Sequence, residues 1–234
     1  MKTVAVLQSN YIPWKGYFDI IHDVDLFIFY DDVQYTKNDW RNRNKIKTSK
    51  GTQWLTIPIG SHNEQLICEV ELTNKQWGKK HYTSLQANYS KAPYFKRYNE
   101  FLQYVYLEKM WESLSDLNQY LIKTISLDFL GIKTEFKDSR EFSLQGNKLD
   151  RLLMLLEHAK TDNYISGPSA KDYIEEKYFI ERKINLYYKD YPNYPEYQQL
   201  HPPFDHYVSI LDTLFNAGND SPYFIWGWKE SLIL

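Results

Sequence analysis

Two apolar runs near the amino terminus have the length and β-branched character of strands that are buried on both faces. They cover residues 4–7 and 24–30, and residues 16–22 between them have the pattern of a short helix. Strand, helix and strand in this order predict a βαβ unit with parallel strands. Ligands of such units bind where the carboxyl end of a strand meets the amino end of the next helix, because free backbone N–H groups and the helix dipole point there.

The rest of the chain continues to alternate between extended and helical patterns. Further strands are predicted at residues 54–59, 66–72, 132–136, 164–166 and 184–188, and helices at residues 148–159, 172–179 and 209–216. A loop over the basic residues 41–50 and a turn at residues 60–63 are predicted between strands.

Residues 77–130 form a helical middle section, with stops at residues 92–93 and 113–115. Ser115 is predicted to cap a long amphipathic helix that ends at Gly131. The predicted fold class is α/β, with a mainly parallel, doubly wound sheet. We expect a single domain over residues 1–234, with residues 77–130 as an α-helical insertion within it.

The segment that follows the first strand is rich in polar and aromatic side chains. Its candidate substrate-binding residues are Gln8, Asn10, Tyr11, Trp14, Lys15, Gly16 and Tyr17. A purely structural alternative is that Pro13 and Gly16 form a tight turn while the aromatic rings cover the end of the sheet.

Polar residues also follow the second predicted strand. The candidates there are Asp31, Asp32, Gln34, Trp40, Arg41, Arg43 and Asn44. The two arginines are suited to hold a phosphate or a carboxylate with paired hydrogen bonds. Asp31 or Asp32 is suited to order the arginines, to bind a hydroxyl group or to accept a proton as a catalytic base. The alternative is a solvated turn whose charges face water.

Two further segments supply candidates for the same site. Residues 166–171 follow a predicted parallel strand, so Ser166, Gly167, Ser169 and Lys171 are expected at the same sheet edge as residues 8–16. His81 lies near a predicted helix start beside two lysines, where it is a candidate catalytic acid or base. The alternative for His81 is a surface histidine in a basic patch.

Six segments of the chain are distinctive: QSNYIPWKGYFDII, YDDVQYTKNDWRNRNKIK, WLTIPI, WGKKHYTSLQANYSKAPYF, NYISGPSAKDYI and SILDTLFNAG. Through them the chain resembles the WbqC-like protein family of bacterial polysaccharide gene clusters over nearly its whole length. The resemblance implies a context, the synthesis of O-antigen or other surface sugars, rather than one reaction. It points to Gln8, Tyr11, Pro13, Trp14, Gly16, Tyr17, Asp32, Gln34, Trp40, Arg43, Asn44, His81, Tyr89, Ser166, Gly167 and Lys171.

The opening of the chain also resembles, more distantly, the nucleotidyltransferase-like α/β fold of pantothenate synthetases. Those enzymes carry a HxGH-type signature at a helix start. Gly16 matches its glycine, while Trp14 and Tyr17 stand at the positions of the histidines. The histidines stabilise charge on a nucleotide phosphate, and neither Trp14 nor Tyr17 carries a positive charge. The resemblance therefore supports the fold and leaves the use of ATP as a cofactor open.

Composition and charge exclude several classes of protein. The formal net charge of the 234-residue chain is −2, which gives no overall field for a nucleic acid. Cys68 is the single cysteine, which excludes an internal disulfide, and we expect it to be a small buried hydrophobe. Histidines and acids show no metal-ligand spacing, so no metal site is predicted. No apolar run reaches the roughly 18 residues of a membrane span, and no leader precedes the first strand, so we expect a cytoplasmic protein.

Two functions are consistent with these features. The first is an enzyme that transfers an acyl or aminoacyl group to a nucleotide-linked amino sugar. In it Arg41 and Arg43 bind the diphosphate, Tyr11 and Trp14 stack on the sugar or base, and His81 or Asp32 deprotonates the amine. The acyl donor is either made with ATP or already activated. The second function is a non-catalytic accessory protein that binds a nucleotide sugar or a glycan. The oligomeric state is left open.

Overall fold

The computed structural model describes residues 1–60, 64–74, 76–146, 148–172, 174–191 and 193–232. Residues 61–63 of the predicted turn, and residue 173 of the predicted helix at 172–179, lie outside this range. Five strands form a parallel sheet in the order β5-β2-β1-β6-β7. They are β1 (Thr3–Leu7), β2 (Leu26–Phe29), β5 (Glu135–Asp138), β6 (Asn163–Ser166) and β7 (Asn185–Tyr188), and a separate antiparallel hairpin is formed by β3 (Arg43–Thr48) and β4 (Gly51–Thr56).

The order of the sheet confirms the predicted α/β class with a mainly parallel sheet. β1 lies in the middle and pairs in parallel with β2 on one side and with β6 on the other. The helices are α1 (Lys15–His22), α2 (Trp77–Tyr89), α3 (Phe95–Gln103), α4 (Leu114–Thr124), α5 (Lys148–His158), α6 (Lys177–Glu181) and α7 (Ile210–Ala217).

Two apolar layers cover the two faces of the sheet, because neighbouring side chains along a strand point to opposite sides. Ala5 and Phe27 face a large cluster that includes residues of α1 to α4 and α7. Val4 and Leu26 face a smaller cluster that includes leucines of α5 and Phe179 of α6. In the described part of the chain, no helix has both the length and the apolar character needed to cross a membrane.

Two predictions about the segment between β2 and α2 were wrong. The basic residues predicted as a loop contain β3, whose buried Asn44 and Ile46 alternate with cationic side chains. This strand needs β4 as a partner, which a local pattern does not reveal. The strand predicted at residues 66–72 is a short 3₁₀ turn, Ile67–Glu69, because two N–H groups there donate to the irregular segment after β2 rather than to a ladder.

The helical middle section contains α2, α3 and α4. α3 and α4 each continue into a π-helical turn, Tyr104–Glu108 and Ile125–Phe129. The cap of α4 is Ser113 rather than the predicted Ser115, since the Ser113 hydroxyl accepts a hydrogen bond from the Asp116 N–H at 3.2 Å. Ser115 is fully buried two residues further along the helix. That the whole chain is one domain with an insertion at residues 77–130 stays a prediction.

Candidate functional site

The loop between β1 and α1 is held by hydrogen bonds from the neighbouring hairpin. Ile12 has a φ of 37°, a left-handed conformation that a β-branched residue rarely adopts. The Asn44 side-chain amide donates to the carbonyls of Tyr11 and Ile12, at 3.2 and 2.9 Å. The Tyr11 N–H donates to the Trp40 carbonyl at 2.9 Å. Asn44, predicted to bind substrate, is buried, and its side chain fixes the shape of the loop.

The start of α1 shows why Gly16 and Tyr17 occur where they do. A Cβ atom on Gly16 would lie 2.3 Å from the Trp14 ring, so the ring folds over a position that only glycine fits. The buried Tyr17 hydroxyl donates to the Gln8 carbonyl at 2.9 Å. Both residues were predicted to bind substrate, and both shape the loop in this structure. Trp14 itself is half-buried and packs against Tyr191, at 5.2 Å between ring centroids.

Tyr11 and His81, which were predicted to stack on a ligand and to transfer a proton, form a buried pair. The Tyr11 ring has no exposed surface, so it offers no face for stacking. His81 Nε2 lies 3.1 Å from the Thr56 carbonyl, which only accepts, so Nε2 carries the hydrogen, and Nδ1 lies 2.8 Å from the Tyr11 hydroxyl. Burial lowers the pKa of His81 to about 4, although the Thr56 carbonyl opposes this shift. Neutral His81, with both nitrogens bonded, has no free position for a ligand.

Asp31 is also buried, and its carboxylate ties the sheet to α4. It accepts hydrogen bonds from the Ser9 N–H at 2.8 Å, the Ser115 hydroxyl at 2.5 Å and the Gln119 side-chain amide at 3.1 Å. The same Gln119 amide donates to Asp138 at the end of β5, at 2.6 Å. Asp31, predicted to contact substrate, therefore links the carboxyl edge of the sheet to α4.

Asp32 lies at the carboxyl edge between two partners that sequence reasoning missed. Its carboxylate accepts a hydrogen bond from the Ser139 hydroxyl at 2.5 Å and forms an ion pair with Arg151 of α5. Next to it, Arg140 makes two hydrogen bonds of 2.8 Å to Asp138, and its side chain is 43% exposed. Arg140 and Arg151 follow Asp32 by more than 100 positions, so only the parallel pairing of β2 with β5 brings them together.

Arg41 belongs to the same edge through the loop that follows β1. Its guanidinium donates to the Asn10 side-chain oxygen at 2.8 Å and lies 3.6 Å from the Asp39 carboxylate. The Arg41 carbonyl accepts a hydrogen bond of 2.8 Å from Asn118 of α4. The predicted residues Asn10 and Arg41 are therefore in contact, next to the end of β1.

An aromatic and basic surface lies beside this loop, on the hairpin and the segment just before it, and is formed by Trp40, Arg43, Lys45 and Trp54. The two tryptophan rings are 5.5 Å apart between centroids and are 43% and 41% exposed. The Arg43 guanidinium lies 4.4 Å from the centre of the Trp54 ring, and Lys45 Nζ lies 5.2 Å from it. Among the described residues no carboxylate pairs with Arg43, and its buried Nε has no hydrogen-bond partner. We call this the tryptophan–arginine surface.

The remaining predicted residues lie at or near the carboxyl ends of the strands. Ser166 is buried at the end of β6, whereas Ser169 and Lys171 are exposed in the 3₁₀ turn that follows. Lys171 Nζ lies 5.2 Å from the centre of the Tyr188 ring, at the end of β7. Gly167 and Gln8 are half-buried, and Gln34 is exposed.

Lys15, predicted to bind substrate, is buried at the start of α1. Its Nζ lies 4.8 Å from the centre of the Tyr194 ring and 5.6 Å from the Tyr197 ring. Burial lowers the pKa of Lys15 to about 8, while the charges of Asp212 and Glu196 oppose the shift. Lys15 therefore faces the carboxyl-terminal segment rather than the sheet edge.

Other features of the surface do not coincide with the predicted residues. Two cavities of about 650 and 420 Å³ are lined by other side chains, the larger around Cys68 and Glu69 and the smaller around Phe179 and Tyr187. The charged and aromatic groups that a polar ligand needs lie elsewhere, at the sheet edge and on the tryptophan–arginine surface beside it. In the described part of the chain, no group of three or more His, Cys, Asp or Glu side chains is arranged to hold a metal ion.

Taken together, the fold and the site define an α/β protein with arginine, carboxylate and tryptophan side chains at and beside the carboxyl edge of a parallel sheet. The chain belongs to the WbqC-like protein family, whose model matches residues 8–223. It is 45% identical over 227 residues to the uncharacterized protein Rv1507c of Mycobacterium tuberculosis (strain ATCC 25618 / H37Rv), an alignment that covers 96% of this chain and 98% of that protein. No solved structure matches the chain.

Proposed function

We propose that this protein binds a nucleotide-linked sugar at the tryptophan–arginine surface and acts in the synthesis of bacterial surface polysaccharide. In the proposed reaction an acyl or aminoacyl group is transferred to an amino sugar. The observation that carries the proposal is the guanidinium of Arg43, which stacks on a partly exposed tryptophan and has no acidic partner among the described residues. Membership of the WbqC-like family supports the polysaccharide context.

The chemistry of this surface fits the two ends of a nucleotide sugar. The faces of Trp40 and Trp54 are suited to stack on a sugar ring or a base. Arg43 and Lys45 are suited to hold phosphate oxygens, and the planar guanidinium can do so with two parallel hydrogen bonds. Because Trp40 is hydrogen-bonded to Tyr11, a ligand there lies next to the loop that follows β1, the usual ligand position in a parallel sheet.

Asp32 is the predicted base that best fits the proposed transfer. Ser139 and Arg151 hold its carboxylate in one orientation at the end of β2. An oriented carboxylate is suited to accept the proton that an attacking amine loses. His81, the other predicted base, is buried and bonded at both ring nitrogens, so we assign it no step in the transfer.

A non-catalytic binding protein is the second candidate, and the structure gives a specific reason to keep it. Both predicted bases are engaged, His81 by Tyr11 and Thr56, and Asp32 by Arg151 and Ser139. A protein that only presents a nucleotide sugar to another enzyme needs the tryptophan–arginine surface and no free base.

The experiment is a thermal-shift screen with nucleotides and nucleotide sugars, because a ligand that binds the folded state raises the melting temperature by mass action. Titration calorimetry then measures the affinity of the best ligand for the wild type and for Arg43→Ala. We expect Arg43→Ala to lose binding by about 2 kcal/mol, roughly a 30-fold weaker affinity. Arg97→Ala is the matched control, since Arg97 also lies against an aromatic ring, that of Tyr98, but sits on α3.

Equal affinities of the wild type and Arg43→Ala would contradict the proposed binding surface. To separate the two candidate functions, Asp32→Asn is assayed with the same ligand and an acyl donor. If the protein is an enzyme that uses Asp32 as its base, Asp32→Asn lowers turnover by roughly 100-fold or more and changes the affinity little, because proton transfer helps only in the transition state.

A further inference from the structure

The amine of Lys15 lies in a box of aromatic rings. Only 2% of the residue is exposed, and its Nζ has no hydrogen-bond partner in the part of the chain that the structure describes. The centres of the Tyr194, Tyr197 and Phe204 rings lie 4.8, 5.6 and 5.7 Å from Nζ. Aromatic faces attract a cation, but they do not replace the three hydrogen bonds that an ammonium makes in water.

The buried carboxylate that attracts Lys15 does not supply those bonds. Asp212 attracts Lys15 electrostatically, but its oxygens accept hydrogen bonds from the Tyr89 hydroxyl at 2.8 Å, the Tyr197 hydroxyl at 2.7 Å and the Gln199 amide at 2.9 Å. Burial without a direct partner favours the neutral amine, and the pKa of Lys15 falls to about 8. A neutral amine has a free lone pair and is a nucleophile.

A second nitrogen without a partner lies close to the same box. His206 Nδ1 is buried and has no hydrogen-bond partner among the described residues, and the imidazole packs edge-on against Phe204 at 4.6 Å between centroids. Burial lowers the pKa of His206, and the charge of Lys15 lowers it further, which puts the two groups within electrostatic range. His206 is therefore a neutral proton acceptor whose ring packs against Phe204, one wall of the box.

The inner and outer walls of the box differ in how firmly they are held. Tyr194 and Tyr197 form the inner wall, and their hydroxyls donate to the buried carboxylates of Asp19 and Asp212 at 2.6 and 2.7 Å. Phe204 and His206 are half-buried, and neighbouring Tyr207 is 66% exposed. These outer side chains are therefore the part of the box that must move to admit a ligand to the amine, and such a movement breaks none of the inner hydrogen bonds.

We propose that Lys15 is a covalent site that condenses with the carbonyl group of a small aldehyde or ketone, with His206 moving the protons. The Nζ lone pair attacks the carbonyl carbon, the C=O π electrons move to oxygen, and His206 takes a proton from nitrogen and delivers it to that oxygen. His206 then moves the second proton of the nitrogen to the same oxygen, which leaves as water as the nitrogen lone pair forms the C=N bond, so the step needs no oxidant or reductant. Flat aromatic walls favour a planar carbonyl compound. The box shares no residue with the tryptophan–arginine surface, so the two proposals stand or fall separately.

Reductive trapping tests this site. The wild-type protein is incubated at pH 7.5 with benzaldehyde and cyanoborohydride, which converts an imine into a stable benzylamine, and peptide mass spectrometry compares Lys15 with exposed Lys96 in the same sample. At this pH about a quarter of an amine with a pKa near 8 is neutral, against about one in a thousand for an ordinary lysine. We expect Lys15 to be labelled at least tenfold faster than Lys96.

Two variants separate the roles of the residues. Lys15→Met keeps an unbranched stem in the box and is expected to abolish the fast labelling. His206→Gln is expected to slow labelling of Lys15 by roughly tenfold or more while that of Lys96 is unchanged. Labelling of Lys15 at or below the rate of Lys96 would overturn the proposal. The comparison of Lys15 with Lys96 uses only the wild-type protein, so it does not depend on the folding of a variant.

Discussion

Replacing Asp31 by alanine is expected to destabilise the fold while leaving the ligand surface in place. The carboxylate accepts three buried hydrogen bonds, from Ser9, Ser115 and Gln119. The Gln119 side-chain amide also donates to the Ser115 hydroxyl at 3.1 Å and to Asp138, so part of the hydrogen bonding lost with the carboxylate is recovered. The Ser9 N–H has no such alternative. At about 1–3 kcal/mol for each buried donor left without a partner, we expect Asp31→Ala to lower the free energy of unfolding by about 3–5 kcal/mol.

Asparagine at the same position separates charge from shape. The oxygen of the introduced amide can still accept from the Ser9 N–H, and its NH₂ group can donate to the Ser115 oxygen, so Asp31→Asn is expected to cost only about 1–2 kcal/mol. Asp128→Ala is the control, because Asp128 is exposed, and we expect a change within about 0.5 kcal/mol. Urea denaturation measures the free energy of unfolding of all three variants, and equal m-values serve as the check on two-state unfolding. If Asp31→Ala is as stable as the wild type but no longer responds to ligand, Asp31 contacts the ligand and its structural role here is wrong.

Three further outcomes follow from the geometry. The pKa of His81 is about 4 in the folded protein and 6.5 in a free chain, so the unfolded state binds more protons between these two pH values. The free energy of unfolding therefore falls as the pH is lowered through this window, by about 3 kcal/mol in total. Urea denaturation at pH 7 and pH 5 should show a smaller loss of unfolding free energy for His81→Gln than for the wild type. Equal losses in the two proteins would count against the burial of His81. Gly16→Ala is expected to lower the free energy of unfolding by about 1–3 kcal/mol through the clash with Trp14, and by less when Trp14 is also replaced by alanine. If denaturation shows that the effects of the two substitutions simply add, the clash is ruled out. Burial raises the pKa of the Cys68 thiol, so iodoacetamide should alkylate it more slowly at pH 8 than it alkylates glutathione, and an equal rate would contradict this.

The parallel core could be predicted from the sequence because its strands are continuous apolar runs. β1 and β2 are buried on both faces, and that pattern is local. β3 was missed because its alternation of lysine with asparagine and isoleucine resembles a basic loop, and its strand character depends on pairing with β4. The segment around Cys68 was mistaken for a strand because its apolar residues alternate, whereas it forms a 3₁₀ turn and single bridges.

Topology was enough to predict that the candidate residues lie at or near one edge of the sheet, but the contacts of their side chains could not be predicted. Tyr11, Asn44 and His81 have side chains that bind ligands in many proteins, and nothing local in the sequence shows that here they are buried and bonded to one another or to the backbone. Arg140 and Arg151 were missed for the opposite reason. Their partners are distant in sequence, and only the ends of β2 and β5 bring them to the same edge.

The measurement that tests the central claim most directly is a crystal structure of the complex with the nucleotide sugar that binds best in the thermal-shift screen. We expect phosphate oxygens within about 3 Å of the Arg43 guanidinium, the distance of a charged hydrogen bond. The base or the sugar ring should lie against Trp54 or Trp40. A ligand bound instead in the cavity beside Cys68, with Arg43 and both tryptophans untouched, would contradict the proposed binding surface.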